Sequence, residues 1–347
     1  MVEKNLLVMR LSAMGDVAMT VPVIASFLQA YPNMGVIMLS TPRLSTLFEG
    51  MERVTFVPVD TKQTYKGTFG MVKLFNHLRR NYRFEKMVDL HDVLRSKILR
   101  TILRASGKPV FVIDKGRSEK KRLVSADNKE KKQLKSSIQR YLEVFEKAGY
   151  PFQIDFDGLI DKSAPLPTQI EKEIGANSYA KRVAIAPFAQ HKGKILPLEK
   201  TEAVIAHFAA QEDTQILLFG GGKKESEVFD GWVARYPHTL SLAGKFTLME
   251  ELQILNHCDV LLSMDSANMH LASLVRTPVV SIWGATHPFA GFYGYGQHPD
   301  HAVQLDLPCR PCSIYGKEPC RRGDYACLNN IDNSLIINKI SDTLRGK

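Results

Sequence analysis

Short apolar runs alternate with amphipathic stretches along most of this chain, a pattern that predicts strands separated by helices. Residues 6–11 read as a strand and 17–30 as a helix with Pro22 inside it. Residues 36–39 read as a strand, 41–48 as a helix and 54–57 as a third strand. Val72, Phe75 and Leu78 recur at helical spacing in an amphipathic helix over 70–81. A strand over 86–90, a helix over 95–103 and a strand over 110–113 continue the alternation. The helix over 134–148 ends at Gly149 with Pro151 beyond, both helix-stop signals.

Residues 151–180 carry Pro165 and Pro167 and little apolar periodicity before Thr168, which marks a linker. A second series follows: strands over 183–186, 215–219, 239–242, 260–264 and 278–283, with helices over 198–210, 226–235, 247–256 and 269–275. Two series of alternating strands and helices imply an α/β chain with two doubly wound parallel-sheet domains, facing each other across a ligand cleft. The expected boundaries are 1–165 and 180–333. A last helix over 334–347 is expected to pack back on the N-terminal domain.

With 347 residues, 44% hydrophobic and 24% charged, the composition is that of a globular protein with room for two cores. No apolar run approaches the ~20 residues of a membrane span. The first residues lead straight into a strand-like run instead of a secretory signal, so cytoplasmic residence is expected. The net charge of +10 favours anionic partners such as nucleotides, phosphorylated glycans or an anionic membrane surface. The strongest excess runs from Lys115 to Lys135, nine Lys or Arg against three acids. It reads either as a solvated face or as a patch for an anionic acceptor.

Four of the five cysteines are Cys309, Cys312, Cys320 and Cys327. A Cys cluster in a reducing compartment raises the question of zinc, but a second Cys-x2-Cys knuckle is missing. The expectation is therefore a loop of reduced thiols and no metal. Cys258, alone before a strand, reads as a small buried hydrophobe.

Several strand ends carry residues suited to anion chemistry. Asp265-Ser266-Ala267-Asn268-Met269-His270 follows an apolar strand and opens a helix, whose unpaired N–H groups suit phosphate. Lys192 and Lys194 follow the strand over 183–186, and Gly220-Gly221-Gly222 with Glu225 follows the next. The glycine run is neither a dinucleotide fingerprint nor a P-loop. Asp265 alone reads as a helix cap and His270 alone as a helix-face histidine. Convergence of these loops on one sheet edge is what points to a nucleotide site. In the first half, Arg10-Leu-Ser12-Ala-Met-Gly15-Asp16 repeats the layout, with Gly15 allowing a tight turn. Asp16 reads either as a cap of the next helix or as a carboxylate taking a proton from an acceptor hydroxyl.

Taken in order, these segments resemble the family 9 glycosyltransferases, the heptosyltransferases of lipopolysaccharide core assembly. Arg10 to Pro22 is similar to their N-terminal signature, and Val88-Asp-Leu-His-Asp-Val-Leu-Arg95-Ser96 to a second motif. Lys194-Ile-Leu-Pro197, Asp265 to His270, Trp283-Gly-Ala-Thr286 and the Cys-x-Pro-Cys loop match further motifs. Leu196 stands where the family carries Trp, and Ala267 where it carries Gly. The resemblance implies a GT-B architecture of two Rossmann-like domains, with the acceptor on the N-terminal one and the nucleotide sugar on the C-terminal one. It implies inverting, metal-independent transfer from a nucleotide sugar, ADP-heptose in the best-known members, without a cofactor.

Carried over, Asp16 is the general base. Lys194, Asp265, Ser266, Ala267, Asn268 and His270 bind the donor, and Glu225 its ribose. Arg10, Ser12 and Arg95 bind an anionic cell-envelope glycolipid, reached by peripheral contact with the inner membrane face. The alternatives are a nucleotide-sugar epimerase of the same architecture, or a non-catalytic basic protein binding nucleotides or nucleic acid. Against the last, no nucleic-acid motif is present and aromatics are not interleaved with the basic run.

Overall fold

The computed structural model describes residues 4–175 and 178–346. Residues 176 and 177 of the expected linker lie outside the described residues. The chain divides into two compact units, one comprising residues 1–117 and 135–157, the other 118–134 and 158–347.

In the first unit the order is β1 (Lys4–Met9), α1 (Met14–Ala18), α2 (Thr20–Ala30), β2 (Met34–Ser40), β3 (Val54–Pro58), α3 (Gly67–Asn81), β4 (Lys86–Asp89), α4 (Leu94–Ala105) and β5 (Val110–Val112). A helix α5 (Arg117–Leu123) leaves this unit, and α6 (Ser137–Lys147) returns to it. The five strands are parallel in the order β3-β2-β1-β4-β5. All seven residues of β2 are buried, as expected of a parallel strand covered on both faces. Leu7, Met9, Ile37 and Leu39 face one core with Leu74, Leu78 and Leu99. Away from that core, Phe27, Phe145 and Phe152 form an aromatic cluster that locks α2 to α6.

The expected helix over 17–30 is two helices that break at Met19. Pro22 falls in the first turn of α2, where its missing N–H leaves no intrahelical bond unmade. The expected helix over 41–48 is a 3₁₀ turn, Pro42–Phe48, opened by its proline.

The second unit contains α7 (Thr168–Ile174), β6 (Lys181–Ala186), α8 (Leu198–Ala209), β7 (Thr214–Leu218), α9 (Lys223–Val233), β8 (Thr239–Ser241) and α10 (Leu248–Asn256). It continues with β9 (Val260–Met264), α11 (Ala267–Leu274), β10 (Val279–Ile282), β11 (Ala302–Val303), α12 (Ala326–Asn329) and α13 (Asn333–Arg345). Its sheet order is β11-β10-β9-β6-β7-β8, again parallel. Counted from the first strand of the unit this is 3-2-1-4-5-6, the Rossmann order.

The last helix, expected to pack back on the N-terminal domain, packs into the core of this unit. Ile336 and Ile340 are fully buried in the core formed by Val204, Phe208, Val260 and Leu262. Burying two such side chains contributes ~1.5–3 kcal/mol each, which fixes where α13 docks.

The basic segment is also relocated, since residues 118–134 belong to the second unit. Leu123 and Leu134 bury against Ala290, with Phe289, Phe292 and Ile314 packed around them. Lys120 lies over the Phe292 ring, 4.4 Å from its centroid. Several charges that looked like a patch for an acceptor therefore have partners within their own unit. Among the described residues, no helix is long and apolar enough to cross a membrane.

Candidate functional site

In an open parallel sheet, ligands gather at the carboxyl ends of strands, where the strand order reverses. In the first unit that point lies between β1 and β4. Arg10, just after β1, sends Nη1 to the Leu90 carbonyl (2.6 Å) and Nη2 to Asp16 Oδ2 (2.5 Å). Asp16 is the third residue of α1, and the same oxygen accepts the Ala13 N–H at 3.2 Å. Its backbone carbonyl accepts the Tyr141 hydroxyl at 3.2 Å, so α6 braces it from behind. The carboxylate thus caps its helix while remaining partly open to solvent. Gly15 is a buried helical residue in ordinary backbone, so the tight turn expected at Gly15 is carried instead by residues 10–13.

At the end of β4, Asp89 is fully buried and its Oδ1 accepts the N–H groups of His91 and Asp92. Arg100 bridges Asp89 (3.2 Å) and Asp92 (2.9 Å). Burial pushes the Asp92 carboxyl up, but Arg100 and Arg117 more than offset this and hold it below its ordinary value. This frame aims the His91 ring at β1, and Nδ1 accepts the Leu11 N–H at 3.4 Å. Burial, then the charges of Arg10 and Lys115, push the His91 imidazole down to about 3. Burial and Arg10 also lower Lys115. Arg10, Arg95 and Lys115 therefore surround a neutral His91, with Asp16 as the carboxylate among them. Ser12 is exposed on the loop after β1, and Arg95 is exposed in the first turn of α4. The second motif supplied only Arg95 to the sequence reading; His91, Asp92 and Lys115 were missed. A buried His between two Asp at a strand end was the available signal.

In the second unit the reversal lies between β6 and β9. The 3₁₀ turn Lys192–Lys194 follows β6, and Asp265 follows β9. Lys194 Nζ stands 3.0 Å from Asp265 Oδ2, with the side chains 16% and 5% exposed. Ser266 stands at the N-cap position of α11 without a side-chain capping bond; the first turn of the helix holds Ala267, Asn268 and Met269, and His270 is buried behind them. Ser266 Oγ lies 3.3 Å from Ser263 Oγ. An eight-residue helix presents its first N–H groups at this sheet edge, where they suit an anion.

Ala267 is the first residue of α11 and has ordinary backbone, so the missing glycine imposes no strain there. Leu196, in the place of Trp, is fully buried and its N–H meets the Met264 sulfur at 3.3 Å. The glycine loop follows β7, the neighbour of β6. Gly222 has φ +90 at the N-terminus of α9, which requires glycine. Glu225 turns back on this loop, its Oε2 accepting the Gly221 N–H at 2.8 Å.

The cysteines fall on one small cavity lined by Cys309, Cys312, Cys320 and Cys327. Cys258 is buried and donates to the Ile254 carbonyl, as a small hydrophobe would.

Residues 71–320 match the family model described as glycosyltransferase family 9 (heptosyltransferase). The chain is 23% identical to lipooligosaccharide heptosyltransferase 2 of Campylobacter jejuni over 341 residues, covering 94% of this chain and 95% of that protein. It superposes on a glycosyltransferase family 9 structure from Veillonella parvula with TM-score 0.78 and 18% identity, over 99% of this chain and 98% of the other. Against Escherichia coli heptosyltransferase WaaC with ADP the TM-score is 0.69 and the identity 18%, over 98% and 99% of the two chains. These structures share the GT-B arrangement of two Rossmann-like domains. A match over most of the chain, on this fold and with these strand-end residues, establishes that the protein belongs to glycosyltransferase family 9 and is a glycosyltransferase.

Proposed function

We propose that the protein transfers a heptose from ADP-heptose, with inversion, to an anionic glycolipid of the lipopolysaccharide core type. The Lys194–Asp265 pair beside the N-terminus of α11 carries this reading. A departing nucleoside diphosphate gains negative charge. A lysine and a row of helix N–H groups stabilise it without a metal at the reaction centre. The ADP in the WaaC structure and the lipooligosaccharide heptosyltransferase of Campylobacter jejuni guide the choice of donor and acceptor.

In this reading Lys194 and the N–H groups of Ser266, Ala267 and Asn268 hold the diphosphate. Asp265 positions Lys194, and His270 backs the helix turn. Glu225 orders the glycine loop and hydrogen-bonds the ribose. Asp16 takes the proton of the attacking hydroxyl, with Arg10 orienting its carboxylate. Ser12, Arg95 and the positive charge around His91 receive the anionic acceptor, presented at the inner face of the membrane to a cytoplasmic enzyme.

Thermal unfolding with ADP, UDP, GDP and CDP tests the donor site. A ligand at 100 times its Kd that binds only the folded chain adds about 2.7 kcal/mol. Stabilisation by ADP alone supports the reading. Stabilisation by UDP alone moves it to another donor, and none by any of them removes the donor-site assignment.

A further inference from the structure

The reading of the cysteine loop as metal-free rested on the missing second Cys-x2-Cys knuckle. The fold supplies what the spacing lacks. Cys312 is pinned by its N–H to the Ala285 carbonyl at 3.0 Å. Cys320 closes a turn by accepting the Gly323 N–H at 3.1 Å. Tyr325 then takes a left-handed conformation, φ +46, that turns the chain into α12, on which Cys327 sits. All four cysteines thereby line one cavity of about 10 Å³, the room a single water or ion takes up.

The charges around this cavity are lopsided. Arg310 is 1% exposed, and every partner of its guanidinium is neutral: the carbonyls of Gly284, Leu305 and Thr286, and Gln304 Oε1. Lys129 donates to the carbonyls of Cys309 and Pro311, at 2.7 and 2.9 Å. Arg321, on the cavity wall, donates to the Val124 carbonyl. Three cations are thus held around four thiols by neutral oxygens. The buried charge of Arg310 is costly unless an opposite charge compensates it; Asp306, which also acts on Arg310, is paired with Lys131, and the cysteines are the other groups able to supply that charge.

We propose that Cys309, Cys312, Cys320 and Cys327 bind one structural transition-metal ion as a tetrahedral tetrathiolate, zinc or iron by its donor set. Four sulfur donors select these metals. Each thiol gives its proton to solvent and its sulfur lone pair to the metal. A divalent ion therefore displaces four protons and leaves a site of charge −2, which the positive charges of Arg310, Lys129 and Arg321 more than offset. No oxidation is involved. Among the described residues no group of three or more His, Cys, Asp or Glu already stands at ligand spacing. Closure needs side-chain rotation, and one staggered step about χ1 swings a cysteine sulfur by about 3 Å. The ion would take no part in the transfer chemistry itself: it fastens the segment whose Gly316 lies against the Lys194 side chain.

The test is elemental analysis of the untagged protein, purified without chelator and after incubation with zinc chloride. The expected result is one zinc or iron per chain, retained through dialysis. The Cys320→Ser/Cys327→Ser variant should lose it. Should that variant fail to fold, a mercurial thiol reagent added to the wild-type protein should release the metal in step with thiol modification. Less than a tenth of an equivalent, with four thiols freely titrated in the native protein, overturns the proposal. So do disulfides among these cysteines by mass spectrometry, or metal bound equally by wild type and variant, which would be adventitious. None of these readouts depends on a nucleotide or on turnover, so the result stands apart from the donor assignment.

Discussion

Lys194 and Asp265 form an ion pair from which water is nearly excluded, Nζ to Oδ2 3.0 Å, at the strand reversal of the second sheet. Their roles differ. In the proposed function Lys194 is the cation that a diphosphate would share, and Asp265 is the carboxylate that positions it. Removing one member of a buried pair leaves the other charge stranded, which costs about 3–5 kcal/mol.

Lys194→Ala should therefore lower stability by a few kcal/mol as well as weaken ADP, about tenfold or more from the lost charged hydrogen bond. Adding Asp265→Asn should restore much of the stability and none of the ADP affinity. Lys192, whose ammonium lies over the Tyr325 ring at 5.1 Å, should matter less to ADP when changed to Ala. Denaturant unfolding and calorimetric titration with ADP separate these effects. Equal losses for the two lysines would end the assignment of Lys194.

Asp16 poses a different question, because its Oδ2 already accepts from Arg10 and from the Ala13 N–H. A carboxylate so held is well oriented, and taking a proton must weaken its pair with Arg10. Asp16→Asn keeps the shape and an acceptor for Ala13 while removing the base. Transfer should fall about 10²–10⁴-fold, the usual contribution of general base catalysis, with ADP stabilisation unchanged. Turnover near the wild-type rate in a heptosyl-transfer assay would sink the base role.

The positions of the strands and helices were largely legible because parallel strands buried on both faces leave apolar runs, and capped helices leave end signals. Thr247 and Glu250 form the capping box that opens α10, and Gly149 ends the helix before it with a left-handed turn. What the pattern could not show was which unit a segment joins. Lys115 to Lys135 looked like one charged run, yet Leu123 and Leu134 within it decide the packing. Periodicity is weak there and the burial is long-range. Likewise the motif ending in Arg95 and Ser96 was visible, but the neutral state of His91 depends first on its burial and then on Arg10 and Lys115, all of which only the fold supplies.

That neutral histidine gives a pH dependence with a definite sign. An unfolded histidine takes up its proton near pH 6.5, whereas folded His91 does so only at about 3. Between these values unfolding binds a proton, so stability falls as pH falls, by up to about 1.4 kcal/mol per unit. Above 6.5 the contribution is fully present. His287, pushed down to about 4 by burial, acts in the same direction, and Glu251, pushed up to about 7 by burial, in the opposite one. Both are common to wild type and His91→Asn, so the difference between the two proteins isolates His91. Urea unfolding at pH 7 and pH 5 should show the wild-type advantage shrinking by about 2 kcal/mol. A difference independent of pH would mean that His91 takes up its proton in the folded protein at the same pH as in the unfolded chain.

Gly316 links the cysteine loop to the lysine of the donor site. It has φ +77, and a Cβ there would fall 2.5 Å from Lys194 Cγ and 2.9 Å from Cδ. Gly323, in the same loop, has φ +81 and open space around its missing Cβ. Alanine at either position suffers the same left-handed backbone penalty, about 1 kcal/mol. Only Gly316→Ala also displaces Lys194. Both variants should unfold slightly earlier than wild type, while only Gly316→Ala should bind ADP more weakly, by about tenfold for a lost charged contact of ~1.5 kcal/mol. Calorimetric titration of the pair decides it. If the two bind ADP alike, the loop supports the fold without setting the position of Lys194.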